Sequence, residues 1–258
     1  KMIQVLISTM HLNNATELLA KMKIQTKAVI IDQCDYQGEE HIEYCGHMVE
    51  VYHTTERGLS KSRNMAIKKS TADILIFADD DFTYVDEYAS LVQNAYDLYN
   101  KADIIIFNAV KSDGNAYRTI PTGKIPAKFR GSINSVRITA RRDALLENNA
   151  FFDEKFGAGS DIPSGEDNIF VSDCYGKKIC IFSFNSILCR GFEAERASTW
   201  FVDYDEKYLF FKGIIFRRLS RLYPVRIFYF AVKHRNKYSS NVSFLKAVQC
   251  MFKGAKKQ

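Results

Sequence analysis

Residues 3–9 form an apolar run of strand length, and the period then changes, with Leu18, Leu19 and Met22 at helical spacing after Asn14, a residue suited to helix capping. A second apolar run, Ala28-Val29-Ile30-Ile31, ends in Asp32, and a weaker strand pattern covers 48–53. Residues 57–64 open a helix that runs to Ser70. The next apolar run, over 72–78, stops abruptly at Asp79, Asp80 and Asp81. Beyond it the spacing predicts a helix over 85–99 with Tyr88, Leu91, Val92, Ala95 and Leu98 facing inward, then a strand over 103–108. A polar loop over 111–130, a strand over 135–139 and a helix over 141–148 follow. Strands alternating with helices in this way build βαβ units. The expected fold class is therefore α/β, with a Rossmann-like, mostly parallel sheet flanked by helices. Such sheets bind ligands at the carboxyl ends of their strands, so Asp32 and the acidic cluster at 79–81 would share one edge.

Composition sharpens this picture in two places. At 258 residues and 47% hydrophobic, the chain can bury the core of one large domain with an appendage. The six cysteines lack zinc-ligand spacing and are expected as free thiols of a reducing compartment. No charge-free run reaches transmembrane length and residues 3–9 are too short for a secretory signal, which gives a cytoplasmic expectation. The net charge of +6 conceals a split. From Lys207 onward there are 8 Lys, 5 Arg and no Asp or Glu, a charge of +13, which leaves −7 on the rest. The expected division is a domain over 1–204 and a basic, amphipathic, helical C-terminal extension over 205–258.

Within that extension Phe244, Ala247, Val248, Met251 and Phe252 fall on one helical stripe that either packs on the body or meets a membrane. The interleaving of Phe210, Phe211, Ile214, Ile215, Phe216, Ile227, Phe228, Tyr229 and Phe230 with Arg217, Arg218, Arg221, Arg226 and Lys233 favours an anionic membrane surface. That places the protein peripherally on the inner face of the cell membrane. No recognised nucleic-acid motif accompanies the charge, so no nucleic-acid partner is expected.

The candidate chemistry begins with the acids at 79–81. Three adjacent anions repel one another, so they form either a solvated turn or the ligands of a hard divalent cation, Mn²⁺ or Mg²⁺. A second acidic pair, Glu166 and Asp167, stands in the first turn of a predicted helix, where the helix dipole alone would favour carboxylates.

Seven segments taken in order carry a family resemblance. They are Leu6-Ile7-Ser8-Thr9-Met10, Ile31-Asp32-Gln33-Cys34-Asp35, Glu56-Arg57-Gly58-Leu59-Ser60-Lys61-Ser62-Arg63-Asn64 and Ala78-Asp79-Asp80-Asp81. Phe156-Gly157-Ala158-Gly159, Gly165-Glu166-Asp167-Asn168-Ile169-Phe170 and Ser198-Thr199-Trp200-Phe201 complete the set. Together they resemble the motifs of bacterial family 2 glycosyltransferases with the GT-A fold, particularly those of capsular and exopolysaccharide assembly.

The resemblance implies an inverting, metal-dependent hexosyltransferase-type enzyme with a nucleotide-sugar donor, expected to be a UDP-sugar, and a saccharide or lipid-linked saccharide acceptor. It implies Ser8 and Thr9 at the nucleotide, Asp32 or Gln33 and Arg63 near the base, and Asp79 near the ribose. Asp80 stands beside them, and Asp81 with Asp79 attends the metal at the diphosphate. The pair at 166–167 would supply the general base, expected at Asp167, with Glu166 orienting the acceptor or capping the helix.

Two departures from the family pattern stand out. Asp32-Gln33 replaces a pair of acids, and no His lies between His53 and His234 where many relatives hold a metal-binding His. Cys189, solvent or weaker metal binding would account for the second. A nucleotidyltransferase would want a Gly-rich, basic loop after the first strand, and Met10-His11-Leu12-Asn13-Asn14 is not one. A catalytically degenerate, membrane-bound assembly partner is the non-enzymatic alternative, and an oligomer is compatible with either.

Overall fold

In the computed structural model, which describes residues 1–125, 133–192 and 204–257, the chain alternates strands and helices through its first half. The order is β1 (Ile3–Met10), α1 (Ala15–Met22), β2 (Lys27–Gln33), β3 (Gly38–Tyr44), β4 (His47–Thr54), α2 (Leu59–Lys69), β5 (Ile74–Asp79) and β6 (Phe82–Tyr84). Then come α3 (Tyr88–Leu98), β7 (Ile104–Val110), β8 (Gly123–Lys124), a 3₁₀ turn (Ser135–Arg137), β9 (Ile138–Arg141), α4 (Arg142–Glu147) and α5 (Glu166–Gly176). The final elements are β10 (Ile181–Gly191), α6 (Glu206–Leu219), α7 (Tyr223–Lys233), α8 (Arg235–Tyr238) and α9 (Phe244–Lys256). The segment Ser198-Thr199-Trp200-Phe201 and the end of the polar loop lie outside the described residues.

Consecutive apolar positions suit strands covered on both faces, and β1, β2, β5 and β7 are buried along nearly their whole length. The sheet runs β3-β4-β2-β1-β5-β9-β7-β10-β6, with β8 on β10. Its centre, β4-β2-β1-β5, is parallel, as the βαβ pattern requires. Elsewhere it is mixed: β9 is inserted antiparallel between β5 and β7, and β3 and β6 are antiparallel edge strands. The parallel registers pair Ser8 with Asp79, Thr9 with Asp32, and Asp32 with His53, which brings the polar strand ends level along one edge.

Helices cover both faces. On one side Leu19 and Met22 of α1 and Tyr88, Val92, Ala95 and Tyr96 of α3 join the core under β1 and β2. On the other, Ala66 and Ile67 of α2, Leu145 of α4 and Phe170 of α5 do the same. There Phe152 stacks on Phe170 at 4.1 Å between ring centroids, and Phe77 of β5 meets Phe152 edge-on at 5.4 Å. This aromatic trio fixes α5 against the end of β5.

Several details differ from the pattern-based expectation. Leu98 is 63% exposed and Tyr96 takes the inward place, because the stripe through 88, 92, 95 and 96 is one face of the helix and position 98 falls about 100° away from its centre. The strand expected over 135–139 is a 3₁₀ turn followed by β9. β3 was not anticipated, since its sequence is polar and mostly exposed; it pairs with β4 across a turn at Cys45-Gly46, both with positive φ.

The basic extension folds onto the body. Ile214 and Ile215 of α6 join Phe156 and Ile169 in one apolar cluster. Arg218 clamps Asp173 with two bonds of 3.0 and 2.7 Å and reaches Asp153 at 3.1 Å. α9 lies so close along α6 that a Cβ on Gly213 would come within 1.8 Å of Met251 O, and one on Gly254 within 1.9 Å of Phe210 O. The stripe at 244, 247, 248, 251 and 252 is spent on this contact, so the packing alternative holds for α9. Gly213→Ala is therefore expected to destabilise the chain by about 1–3 kcal/mol or more. Gly176→Ala, with nothing within 4 Å of the new methyl, should be neutral or mildly stabilising. Urea unfolding of both variants checks this.

Candidate active site

The carboxyl edge of the parallel strands meets the start of α2 and of α5. Ser8 and Thr9 stand near the end of β1, both buried. Thr9 Oγ1 donates to Asp80 Oδ2 at 2.6 Å, and Ser62 Oγ of α2 donates to Ser8 Oγ at 2.8 Å. At the end of β2, Asp32 Oδ1 accepts from the Leu12 N–H at 2.9 Å, and Oδ2 lies 2.9 Å from His53 Nδ1. Gln33 Oε1 accepts from the Gly58 N–H at 2.7 Å and so fixes the turn into α2.

α2 turns a polar face inward, with Ser60, Ser62, Arg63 and Asn64 all buried. Asn64 is structural: its amide exchanges bonds with the Phe152 backbone and donates to Glu154. Arg63 is the central group. It is 1% exposed, donates from Nη2 to Asp79 Oδ1 at 2.7 Å and from Nη1 to Asp167 Oδ1 at 3.0 Å, and has Glu166 Oε1 at 3.6 Å. Its guanidinium also stands 5.3 Å above the Phe152 ring. Burial alone would push Arg63 down, and Asp79, Asp167 and Glu166 outweigh it, so the guanidinium stays protonated. Burial pushes Asp167 up; Arg63 opposes the shift, and Glu166 and Asp79 reinforce it. The two directions agree because three carboxylates share one cation.

Glu166 and Asp167 occupy the first turn of α5, where the dipole favours them, and the nearby Ser135 backbone offsets a little of the upward push on Asp167. α5 starts at Gly165, whose φ of 100° and whose contact with Ile215, 2.9 Å from where a Cβ would stand, both demand glycine. From α6, Lys212 feels Glu166; burial pushes its amine down and Glu166 opposes. The extension thus borders the acidic pair.

Asp81 begins the turn into β6. Its Oδ1 is buried and accepts no hydrogen bond among the described residues. Burial first, then Asp79 and Asp80, push its carboxyl up to about 7. An orphaned oxygen among clustered carboxylates suits a hard divalent cation, so the residues fit such an ion. Cys189 does not: burial pushes its thiol far up, and Sγ donates to Val136 O at 3.5 Å.

Sequence reasoning missed two groups. His53 joins Asp32 and Cys34 in a buried trio whose ligand atoms lie within 4.8 Å of one another. The Tyr36 ring lies tilted beside the His53 ring at 4.7 Å between centroids, and Glu40 lies 3.3 Å from its Nε2. The signal was available, since a His one residue before the end of β4 sits level with an Asp one residue before the end of β2. Arg137 is fully buried, bonded to Phe107 O and Asn108 Oδ1, with burial pushing it down to about 10. Nothing in the pattern of 135–142 marked it out from its neighbours Arg141 and Arg142.

The Asp81 shift sets a pH dependence. A carboxyl held above its unfolded value is neutral in both states at low pH, and stability is then lost as pH rises through about 7, where the folded group finally ionises. In chelated buffer, Asp81→Asn should melt higher than wild type at about pH 8 and alike at about pH 4. Paired thermal melts check this.

The profile of Glycosyl transferase family 2 matches residues 15–160, more than half of the chain. The motifs at 6–10, 165–170 and 198–201 fall outside that span. No curated protein sequence matches the chain. Similar solved structures include S. aureus TarS 1–349 in complex with UDP-GlcNAc, at 16% identity and a TM-score of 0.62 over 93% of this chain and 74% of that one. TarS 1–349 in complex with UDP aligns at 15% identity and 0.61 over 94% and 76%, and TarS 1–349 at 15% and 0.63 over 96% and 81%. At such identities the likeness speaks for the fold. The chain belongs to glycosyl transferase family 2 and has a GT-A fold.

Proposed function

We propose that the protein is an inverting glycosyltransferase that moves a sugar from a nucleotide-sugar donor to a hydroxyl of a saccharide or lipid-linked saccharide, in assembly of a bacterial surface polysaccharide. The observation that carries this reading is the Arg63 cluster, which sets Asp79, at a strand end, and Asp167, at a helix start, on one buried guanidinium. The UDP-GlcNAc and UDP complexes of similarly folded TarS support a UDP-sugar as donor.

In this reading Ser8, Thr9, Asp32 and Gln33 line the nucleotide side. Asp79 and Asp80 face the ribose and diphosphate, and Arg63, expected near the base, is read instead as holding Asp79 and Asp167 in register, since its guanidinium is buried and bonded to both. Asp81 with Asp79 would hold Mn²⁺ or Mg²⁺, which stabilises negative charge on the departing nucleoside diphosphate. Asp167 accepts the proton of the acceptor hydroxyl as that oxygen attacks the anomeric carbon opposite the leaving group. Its upward shift suits the task, because a base works best with a pKa near the operating pH. Glu166 orients the acceptor and shares Arg63.

The transfer domain is read as residues 1–204, with 205–258 as an extension that holds the protein at the anionic inner face of the membrane. Among the described residues no helix is long and apolar enough to cross a membrane.

Thermal-shift screening of nucleotide sugars with Mn²⁺ tests the donor class, since ligands of the folded state raise the melting temperature. Selective stabilisation by UDP-sugars is expected, and no response to any nucleotide sugar would count against the reading. Asp81→Asn should abolish metal-dependent binding of a nucleoside diphosphate in calorimetry while the fold persists. Asp167→Asn should bind donor normally yet lose kcat by about 10²- to 10⁴-fold in single-turnover transfer, with a milder loss for Glu166→Gln.

A further inference from the structure

Helix α7 is apolar on two opposite faces. Only Arg226 and Lys233 carry charge among its eleven residues. The inward face is used: Ile227 and Ala231 are fully buried with Leu209, Ala247 and Met251, and Phe230 meets Phe216. The outward face is open. Leu222, Val225, Tyr229 and Val232 are 69%, 65%, 64% and 66% exposed. They follow one another at i, i+3, i+7 and i+10, a single stripe along the helix. Phe228 borders the stripe and leans on Phe252 at 5.9 Å. A helix apolar nearly all round belongs in an apolar surrounding, and packing against α6 and α9 supplies half of one.

Charge selects what covers the other half. No acidic residue occurs after Glu206, and Arg217, Arg221, Lys233, Arg235 and Lys237 are exposed around α7. Arg217 and Lys233 lie over the rings of Tyr223 and Tyr229, beside the stripe. A second copy would bring the same positive charge against its own, and nucleic acid would meet the charge but leave the stripe in water. An anionic bilayer answers both.

We propose that α7 lies in the plane of an anionic membrane with Leu222, Val225, Tyr229 and Val232 inserted below the headgroups and the surrounding Arg and Lys side chains on lipid phosphates. The inference rests on the membrane location proposed above and deepens it, since it requires apolar insertion as well as attraction between charges. Arg218 takes no part, being held by Asp153 and Asp173.

Co-sedimentation of the full chain with phosphatidylcholine vesicles, with and without phosphatidylglycerol, tests the proposal. Wild type should bind the mixed vesicles, and the quadruple variant Leu222→Ser, Val225→Ser, Tyr229→Ser, Val232→Ser should bind them at least about 10-fold more weakly with an unchanged melting temperature. Val225→Trp supplies an independent readout: its emission should shift to the blue on mixed vesicles. If the quadruple variant binds as wild type does, and Arg217→Gln with Arg221→Gln and Arg235→Gln releases the protein, insertion is overturned while the membrane location stands. If wild type ignores the mixed vesicles even at low salt, the location itself fails. A wild-type dimer that the quadruple variant converts to monomer would make this face a contact between copies and overturn the proposal.

Discussion

A single buried guanidinium carries the geometry of the site. Arg63 has lost its hydration almost completely, and a cation in that position is tolerable only with carboxylates at hydrogen-bond distance. Asp79 comes from the end of β5, Asp167 and Glu166 from the first turn of α5, and Arg63 itself from α2. The consecutive elements α2 and β5 and the sequence-distant α5 are therefore held at one separation. Buried ion clusters of this kind add little net stability, because desolvation offsets attraction, but removing one member leaves the others stranded. Their contribution here is position. Burial first, reinforced by the neighbouring carboxylates, leaves Asp167 shifted toward the range of a useful base, and Asp81, outside the cluster, keeps an oxygen without a hydrogen-bond partner among the described residues.

The surroundings of that cluster follow from the same demand. α5 can start beside Arg63 only if its first residues approach α6 closely, which Gly165 permits against Ile215. The Phe77, Phe152 and Phe170 rings fill the space beneath, and Phe152 is also the face on which the guanidinium rests. Because Phe156 and Ile169 share their apolar cluster with Ile214 and Ile215, the extension supports the acidic pair as well as carrying the basic charge. Division of labour between body and extension is thus one of chemistry, with packing common to both.

Much of this was legible in the chain. Doubly buried strands write themselves as unbroken apolar runs, and Asp32 and the acids at 79–81 are visible where those runs stop. The inward polar face of α2, Ser60 to Asn64, was legible only through family resemblance, since a buried Arg looks like a surface Arg until its partners are known. β3 and β10 were missed for a different reason. An exposed edge strand has no pattern of its own to show, and β10 shifts register between Ser183 and Cys189, so neither displays a clean period. His53 and Arg137 owe their roles to neighbours on other strands, which periodicity within one segment cannot reveal. The two faces of α7 and the stripe of α9 look alike as sequence; only the close approach at Gly213 and Gly254 separates the covered helix from the uncovered one.

The central claim is a single displacement at the anomeric carbon with Asp167 as the base, and the stereochemistry of the product reads it directly. The anomeric proton coupling of the transferred sugar, followed by nuclear magnetic resonance from an α-linked UDP-sugar donor with the wild-type protein, should show a β linkage in the first product formed. An α linkage in that first product would contradict the account, because retention requires either a second displacement or a front-face route that leaves no place for a base at Asp167.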